Sequence, residues 1–201
     1  MRRERRWSAL PATLAAIALL ATPALEAPTI AADDPGALEP LMALLAQRRH
    51  GIADFEETQY LAALKQPLHS AGVLTYEAPD HLEQRTLKPR ARSMVLDQGM
   101  LRLQSGSRQR TLRLRDYPEI APLIDSVRAT LAGDQAALEQ RFELRLQGDL
   151  DHWQLQLRPR EPKLAAMVQH IRIAGERDAI LQVEVQQSDG DRSLMIIKPR
   201  E

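Results

Sequence analysis

The residues best suited to acid–base or metal chemistry are five histidines, His50, His69, His81, His152 and His170, and they are scattered along the chain. A zinc site would need closely spaced ligands, as in HExxH on one helix face, and no such spacing occurs. Cysteine is absent, which removes any thiolate nucleophile, any disulfide, and the residue that is acylated in an anchored lipoprotein. Asp189-Gly190-Asp191 has the look of a calcium loop, but the remaining oxygen ligands and the bidentate glutamate are missing, so a hairpin turn is expected there. Neither GxSxG nor a phosphate-cradling GxxxxGK[ST] is present, and the serines stand in no recognised nucleophile setting. The expectation is therefore a protein that is not an enzyme, with no catalytic residue, no metal and no cofactor.

Export is the next expectation. Arg2, Arg3, Arg5 and Arg6 precede an apolar run from Ala9 to Ala21, the pattern of a secretory signal peptide. The run falls short of the ~20 residues a spanning helix needs, and Pro11 interrupts its start. Thr22 and Ala24 fit cleavage after Ala24, and Thr29 and Ala31 a second cut after Ala31; the first is favoured, giving a signal peptide over 1–24 and one domain over 25–201. The whole chain carries 27 basic and 27 acidic residues. Without residues 1–24, which hold four Arg and one Glu, 23 basic and 26 acidic side chains remain. This balance does not attract nucleic acid.

Elements that could position a site follow from periodicity. Leu38, Leu41, Met42 and Leu45 recur at helical spacing, predicting an amphipathic helix from about Pro35 to Arg49, with Arg48, Arg49 and His50 in its last turn and Gly51 as its left-handed stop. From Phe55 the apolar period becomes two, as in strands with one buried face. Leu74 with Tyr76, Met94 with Leu96, Leu101 with Leu103, and Leu112 with Leu114 skip one residue each. Leu144 with Leu146, Trp153 with Leu155 and Leu157, Ile171 with Ile173, and Leu181 with Val183 and Val185 do the same. Turns are expected at Asp97-Gln98-Gly99, Ser105-Gly106-Ser107, Gly148-Asp149 and Ser188-Asp189-Gly190-Asp191. Ile120, Leu123, Ile124, Val127 and Leu131 interrupt this with helical spacing between Pro118 and Gly133, and Asp134 is placed to cap a further short helix before strands resume at Phe142. The pattern predicts a curved antiparallel sheet with helices over one face.

The order of several motifs resembles that of the LolA lipoprotein carriers over about residues 38 to 198. Phe55-Glu56-Glu57 follows the first helix, then come Gly72-Val73-Leu74-Thr75-Tyr76-Glu77-Ala78-Pro79 and Met94-Val95-Leu96-Asp97-Gln98-Gly99-Met100-Leu101. Trp153-Gln154-Leu155-Gln156-Leu157-Arg158-Pro159 is similar to the family's apolar strand ending in proline, and Ile171-Arg172-Ile173 leads to Val183-Glu184-Val185 and Gly190-Asp191. The resemblance implies a mainly β protein with α-helices, an unclosed antiparallel β-barrel whose concave face the helices cover. It also implies a monomeric periplasmic carrier of an acylated lipid or lipoprotein, loaded by an inner-membrane exporter and unloaded to an outer-membrane acceptor. A periplasmic lipid sensor on the same fold is the alternative. The implied lipid-binding positions are Leu82, Leu74, Tyr76, Met94, Leu96, Leu101, Leu103, Leu112 and Leu114, the helical set Ile120, Leu123, Ile124, Val127 and Leu131, and Leu144, Leu146, Leu155 and Leu157. Two departures stand out: Ala78 occupies the place of the family's gating arginine before the proline, and Met100 to Gln104 lacks the carriers' aromatic side chains. With these departures the chain looks closer to related members associated with exporters of glycolipids or polyene lipids than to the general lipoprotein carrier.

Replacing Leu155 or Leu157 by Asp would place an unpaired carboxylate on an apolar strand face, at several kcal/mol. Both variants are expected to melt well below the parent or to lose lipid, as thermal denaturation and lipid extraction would show; unchanged melting and binding in both would overturn the strand assignment.

Overall fold

The computed structural model describes residues 37–117 and 121–200. The expected signal peptide, its cleavage sites and Ile120 lie outside these residues. Alternating side chains become eleven antiparallel strands in one open sheet, ordered β6-β5-β4-β3-β2-β1-β11-β10-β9-β8-β7. The strands are β1 (His50–Tyr60), β2 (Leu68–Glu77), β3 (His81–Lys88), β4 (Arg92–Asp97), β5 (Met100–Ser105), β6 (Arg108–Arg113), β7 (Phe142–Gly148), β8 (Trp153–Pro159), β9 (Val168–Glu176), β10 (Ala179–Gln187) and β11 (Arg192–Pro199). The sheet is thus two meanders, β1–β6 and β7–β11, joined where β1 pairs with β11 from Ala53↔Pro199 to Tyr60↔Arg192.

Among the described residues four α-helices accompany the sheet: α1 (Leu38–Leu45), α2 (Ala121–Leu131), α3 (Gln135–Arg141) and α4 (Pro162–Ala165). The predicted capping of α3 is present, since the Asp134 side chain accepts the Ala137 N–H at 3.0 Å. The first helix departs from expectation. It ends at Leu45, and the Gln47 and Arg48 N–H groups close the turn on Leu44 and Leu45. Gly51 is not a helix stop: His50 and Gly51 already pair with Glu77 and Tyr76 in β2, because the sheet ladder claims their backbone. Leu114 is buried as expected, but in a 3₁₀ turn, Leu114–Asp116, rather than on a strand. The four expected turns all separate strands, with Gly99, Gly106, Gly148 and Gly190 at positive φ.

Register decides what shares a face. Glu57, Met195, Val183, Ile173, Leu155 and Leu146 form one row across the seam, and Gln59, Ser193, Val185, Ile171, Leu157 and Leu144 form the next. On the arm, Tyr76, Leu82, Leu96, Leu101 and Leu112 align from β2 to β6. A bulge between Ile180 and Gln182 shifts the phase of β10, so Ile180, and not the expected Leu181, is the buried member there.

Packing is uneven along this concave face. Leu155, Leu157, Ile171 and Ile173 are fully enclosed, together with Leu41 and Leu45 of α1, Leu138 of α3 and Phe142. Two glycines permit the close approaches that seal this core. A Cβ on Gly175 would lie 2.4 Å from the Trp153 ring, and one on Gly133, at φ +65, would lie 2.2 Å from the Met42 carbonyl oxygen. A smaller cluster of Leu96, Leu101, Leu114 and Ala121 sits under the arm.

On the outer face of β9 and β10, His170 Nε2 is buried without a hydrogen-bond partner among the described residues, 4.0 Å from a Glu184 oxygen that Arg172 approaches at 3.3 Å. Burial, reinforced by Arg172 and Arg158 and opposed by Glu184, pushes the His170 pKa below its usual 6.5. Between the lowered value and 6.5 the unfolded chain binds the proton more readily than the folded one, so stability falls as pH drops through that window. The parent is therefore expected to lose more melting temperature than His170→Gln when pH is lowered from 7.5 to 5; parallel losses in both proteins would contradict this.

Candidate functional site

Between the tight core beneath β7–β9 and the cluster under the arm, the concave face does not close on itself. A cavity of about 270 Å³ lies there, floored by β1, β2, β10 and β11 and roofed by α2. Its sheet side presents Ala53, Leu74, Tyr76, Val183, Val185, Met195 and Ile197, and its roof Leu123, Ile124, Val127 and Leu131. From Tyr76 to the Ser70 and Glu57 row the trough runs along six residues of β2, about 20 Å at ordinary strand rise.

Side-chain burial in α2 is inverted relative to an ordinary packing helix. Its most enclosed residues are small or hydroxylated: Ser126 at 1%, Thr130 at 0% and Ala129 at 2% exposure. The large apolar residues Leu123, Ile124, Val127 and Leu131 are only half-buried, because they face the cavity. The enclosed hydroxyls satisfy themselves within the helix: Ser126 Oγ donates to the Leu123 carbonyl at 2.7 Å and Thr130 Oγ1 to the Ser126 carbonyl at 2.8 Å. The helix therefore encloses small groups that demand no outside partner, while its large apolar residues line the cavity, Leu123 and Leu131 also touching the tight core and Ile124 the arm cluster.

Two polar groups mark the ends of the trough. Tyr76 is 5% exposed and its hydroxyl is buried without a partner among the described residues; burial raises its pKa above the usual value. Such a hydroxyl is an unmatched donor. At the other end Glu57 accepts from Gln59 Nε2 at 3.0 Å, Ser70 Oγ at 3.0 Å and Ser193 Oγ at 2.7 Å, so three neutral donors hold its carboxylate. Beside Tyr76, Arg48 is fixed by Asp178, with Nε on the backbone carbonyl and Nη2 on the carboxylate, each at 2.9 Å.

The expected lipid-binding positions divide three ways. Leu74, Tyr76, Leu82, Met94, Leu123, Ile124, Val127 and Leu131 line the cavity. Leu96, Leu101 and Leu114 form the arm cluster, with Leu103 and Leu112 packed against it. Leu146, Leu155 and Leu157 belong to the tight core, with Leu144 against it. Lining residues from β1, β10 and β11, among them Ala53, Val183, Val185, Met195 and Ile197, were missed. The alternation of Val183 and Val185 was visible in the sequence, but the β1–β11 pairing that brings them under α2 has no local signature. The histidines stay apart: His69 meets Thr58 at 3.2 Å, and His81 and His152 lie near Asp97 and Glu176 at the surface.

The architecture is thus an open antiparallel half-barrel with an apolar, helix-roofed trough, a shape that suits an apolar ligand. The model of the family described as outer membrane lipoprotein carrier protein LolA-like matches residues 31–198, and the chain belongs to that family. Solved structures with a similar chain path include a LolA superfamily protein, NE2245, from Nitrosomonas europaea, with 10% identity, 85% of this chain and 95% of that one covered, and a TM-score of 0.42. A DUF1329 family protein from Desulfovibrio piger has 10% identity, covering 83% and 92%, at TM-score 0.46. LprF from Mycobacterium bovis has 8% identity, covering 83% and 94%, at TM-score 0.37. Among curated proteins there is no sequence match.

Because the Tyr76 hydroxyl has no partner, Tyr76→Phe removes a desolvated donor and no hydrogen bond. Its melting temperature is expected to equal or exceed the parent's in lipid-free protein. A loss of several degrees would show that the hydroxyl is bonded in solution.

Proposed function

We propose that this chain is an exported periplasmic carrier that holds the acyl part of a lipid or lipidated protein in the trough and moves it from the inner to the outer membrane. The observation that carries this reading is the inverted helix α2, whose large apolar side chains face the cavity while its small ones pack the core. An acyl chain entering the trough gains ~0.8 kcal/mol per buried methylene, so a sixteen-carbon chain forfeits ~12 kcal/mol on return to water. Unaided transfer across an aqueous compartment is correspondingly slow, and a covered apolar trough removes that barrier. Family membership and the arginine-rich leader support export and carriage. No helix among the described residues is long and apolar enough to cross a membrane.

The cavity volume also bears on mechanism. At about 270 Å³ it lies just below the ~300–1,000 Å³ of ordinary ligand pockets. One chain can enter a slightly widened trough; a cargo with two or three chains requires α2 to move outward. That motion would part Leu123 and Leu131 from the tight core and Ile124 from the arm cluster, contacts made by side chains that are only half-buried.

Native mass spectrometry of protein purified from the periplasm is expected to show bound lipid, and the lipid-free protein should bind a fluorescent acyl probe. In a variant with Leu123→Ser, Ile124→Ser and Val127→Ser, each change removes ~1–2 kcal/mol of contact with an acyl chain. Probe affinity should fall at least tenfold while melting shifts by only a few degrees. Absence of lipid and of probe binding would overturn the carrier reading; a collapse in melting temperature equal to that of a core variant would make α2 a structural helix rather than a cover.

A further inference from the structure

The apolar trough continues into a second depression of about 560 Å³, which shares Glu57, Gln84 and Met94 with it. Its chemistry is different. Moving outward along the arm, the register row that begins with apolar Leu74 continues through Gln84, Met94 and Leu103 to Arg110. The next row holds Thr86, Arg92, Ser105 and Arg108. All three arginines line the depression, with Gln59, Ser93 and Gln104 completing its polar wall. Arg108 and Arg110 are two residues apart on one strand face, about 7 Å, and Arg92 stands two strands from Arg108, about 10 Å. None of the three forms an ion pair among the described residues, and Glu57, held by three neutral donors, is the single carboxylate of the lining against three guanidinium groups, so the wall keeps an excess of positive charge.

We infer that this groove binds the phosphate-bearing headgroup of the cargo, so that the lipid carried is an anionic amphiphile with its chain in the trough and its phosphate among Arg92, Arg108 and Arg110. This rests on the carrier reading and specifies its cargo class. Three like charges converging on one concavity repel each other unless a counter-charge is supplied, and forked guanidinium groups match phosphate oxygens in charge and geometry. The surrounding hydroxyl and amide groups supply neutral donors to the remaining oxygens. Charges on an edge strand such as β6 also deter pairing with another sheet. That role leaves Arg92 unexplained, since β4 is an interior strand and Arg92 aligns with Arg108 across Ser105.

The test is displacement of N-phenylnaphthylamine, a neutral apolar fluorophore, from the lipid-free protein by twelve-carbon amphiphiles below their micellar concentrations. Dodecyl phosphate is expected to displace it at a concentration about tenfold lower than dodecyl maltoside, with the gap narrowing as salt rises. In the variant with Arg92→Gln, Arg108→Gln and Arg110→Gln the gap should close, while the fluorophore itself binds within twofold of the parent. If that variant melts much earlier, Arg108→Gln and Arg110→Gln, both on the exposed edge strand, carry the same comparison. Equal displacement by the two amphiphiles, or a preference untouched by the substitutions, overturns the headgroup assignment and leaves the carrier reading standing. Binding of inorganic phosphate alone, measured by isothermal titration, as tight as that of dodecyl phosphate would assign the groove to free phosphate and also overturn it. No fluorophore or amphiphile binding at all would overturn the carrier reading, and the headgroup assignment with it.

Discussion

The ladder between β1 and β11 is the interaction on which the rest of the molecule depends. It joins residues 50–60 to residues 192–199, and without it the chain would form two separate meanders with two exposed edges facing each other. Side chains on both faces reinforce the backbone pairing. Glu57 takes Ser193 on the inner side, while Glu56 with Lys198 and Asp54 with Arg200 line the outer side. Those outer pairs are exposed and contribute little individually. The seam's consequence is geometric: Ala53, Glu57, Met195 and Ile197 become the floor of the cavity, so the site exists only once both ends of the chain have met.

The same topology dictates the roof. Joining the seam puts β6 and β7 at opposite edges of the sheet, although they are consecutive in sequence. The connection between them carries α2 and α3 over the concave face, with Ala121 in the arm cluster and Ala129 and Leu138 in the tight core. A crossing helix would normally fill the space beneath it with its largest side chains. Here those side chains are only half-buried: Leu123 and Leu131 touch the tight core and Ile124 the arm cluster, while Ser126, Ala129 and Thr130 are the fully enclosed residues. A cover whose large side chains are left half-buried is better suited to the lid role proposed for it than one that is sealed into the core.

Much of this was legible locally. Alternation revealed most strands, Gly and Asp marked the turns, and the change to helical spacing at Leu123 to Leu131 located α2. Two strands resisted for identifiable reasons. In β3 the inward residues are Leu82, Gln84 and Thr86, so the alternation fades as the wall turns polar. In β11, Leu194 to Ile197 is a continuous apolar run in which period two is invisible. The site was legible only in part, because periodicity reports which side chains share a face and not how far the opposite layer stands from them. Leu155 and Val183 have the same pattern and adjacent rows; one is sealed by α1 and α3, the other faces the gap under α2. That difference is set by helix placement, which depends on pairing between the chain's ends.

Polarity along the trough then becomes informative about orientation. The roof and floor are apolar over their middle, the Tyr76 end is confined beside the Arg48–Asp178 pair, and the Glu57 end opens onto a polar wall. At the Tyr76 end a headgroup's charge would lie against a neutral hydroxyl, with Arg48 committed to Asp178, Arg128 paired with Asp125, and Arg49 the one remaining guanidinium acting on Tyr76. At the Glu57 end the same charge meets guanidinium groups and remains partly hydrated. A chain that enters tail-first toward Tyr76 satisfies both constraints at once: its methylenes lie where water is excluded, and its polar end lies where donors converge. On the proposed reading the gradient favours one direction for the cargo, with its polar end toward the Glu57 side of the trough, where the polar groove opens.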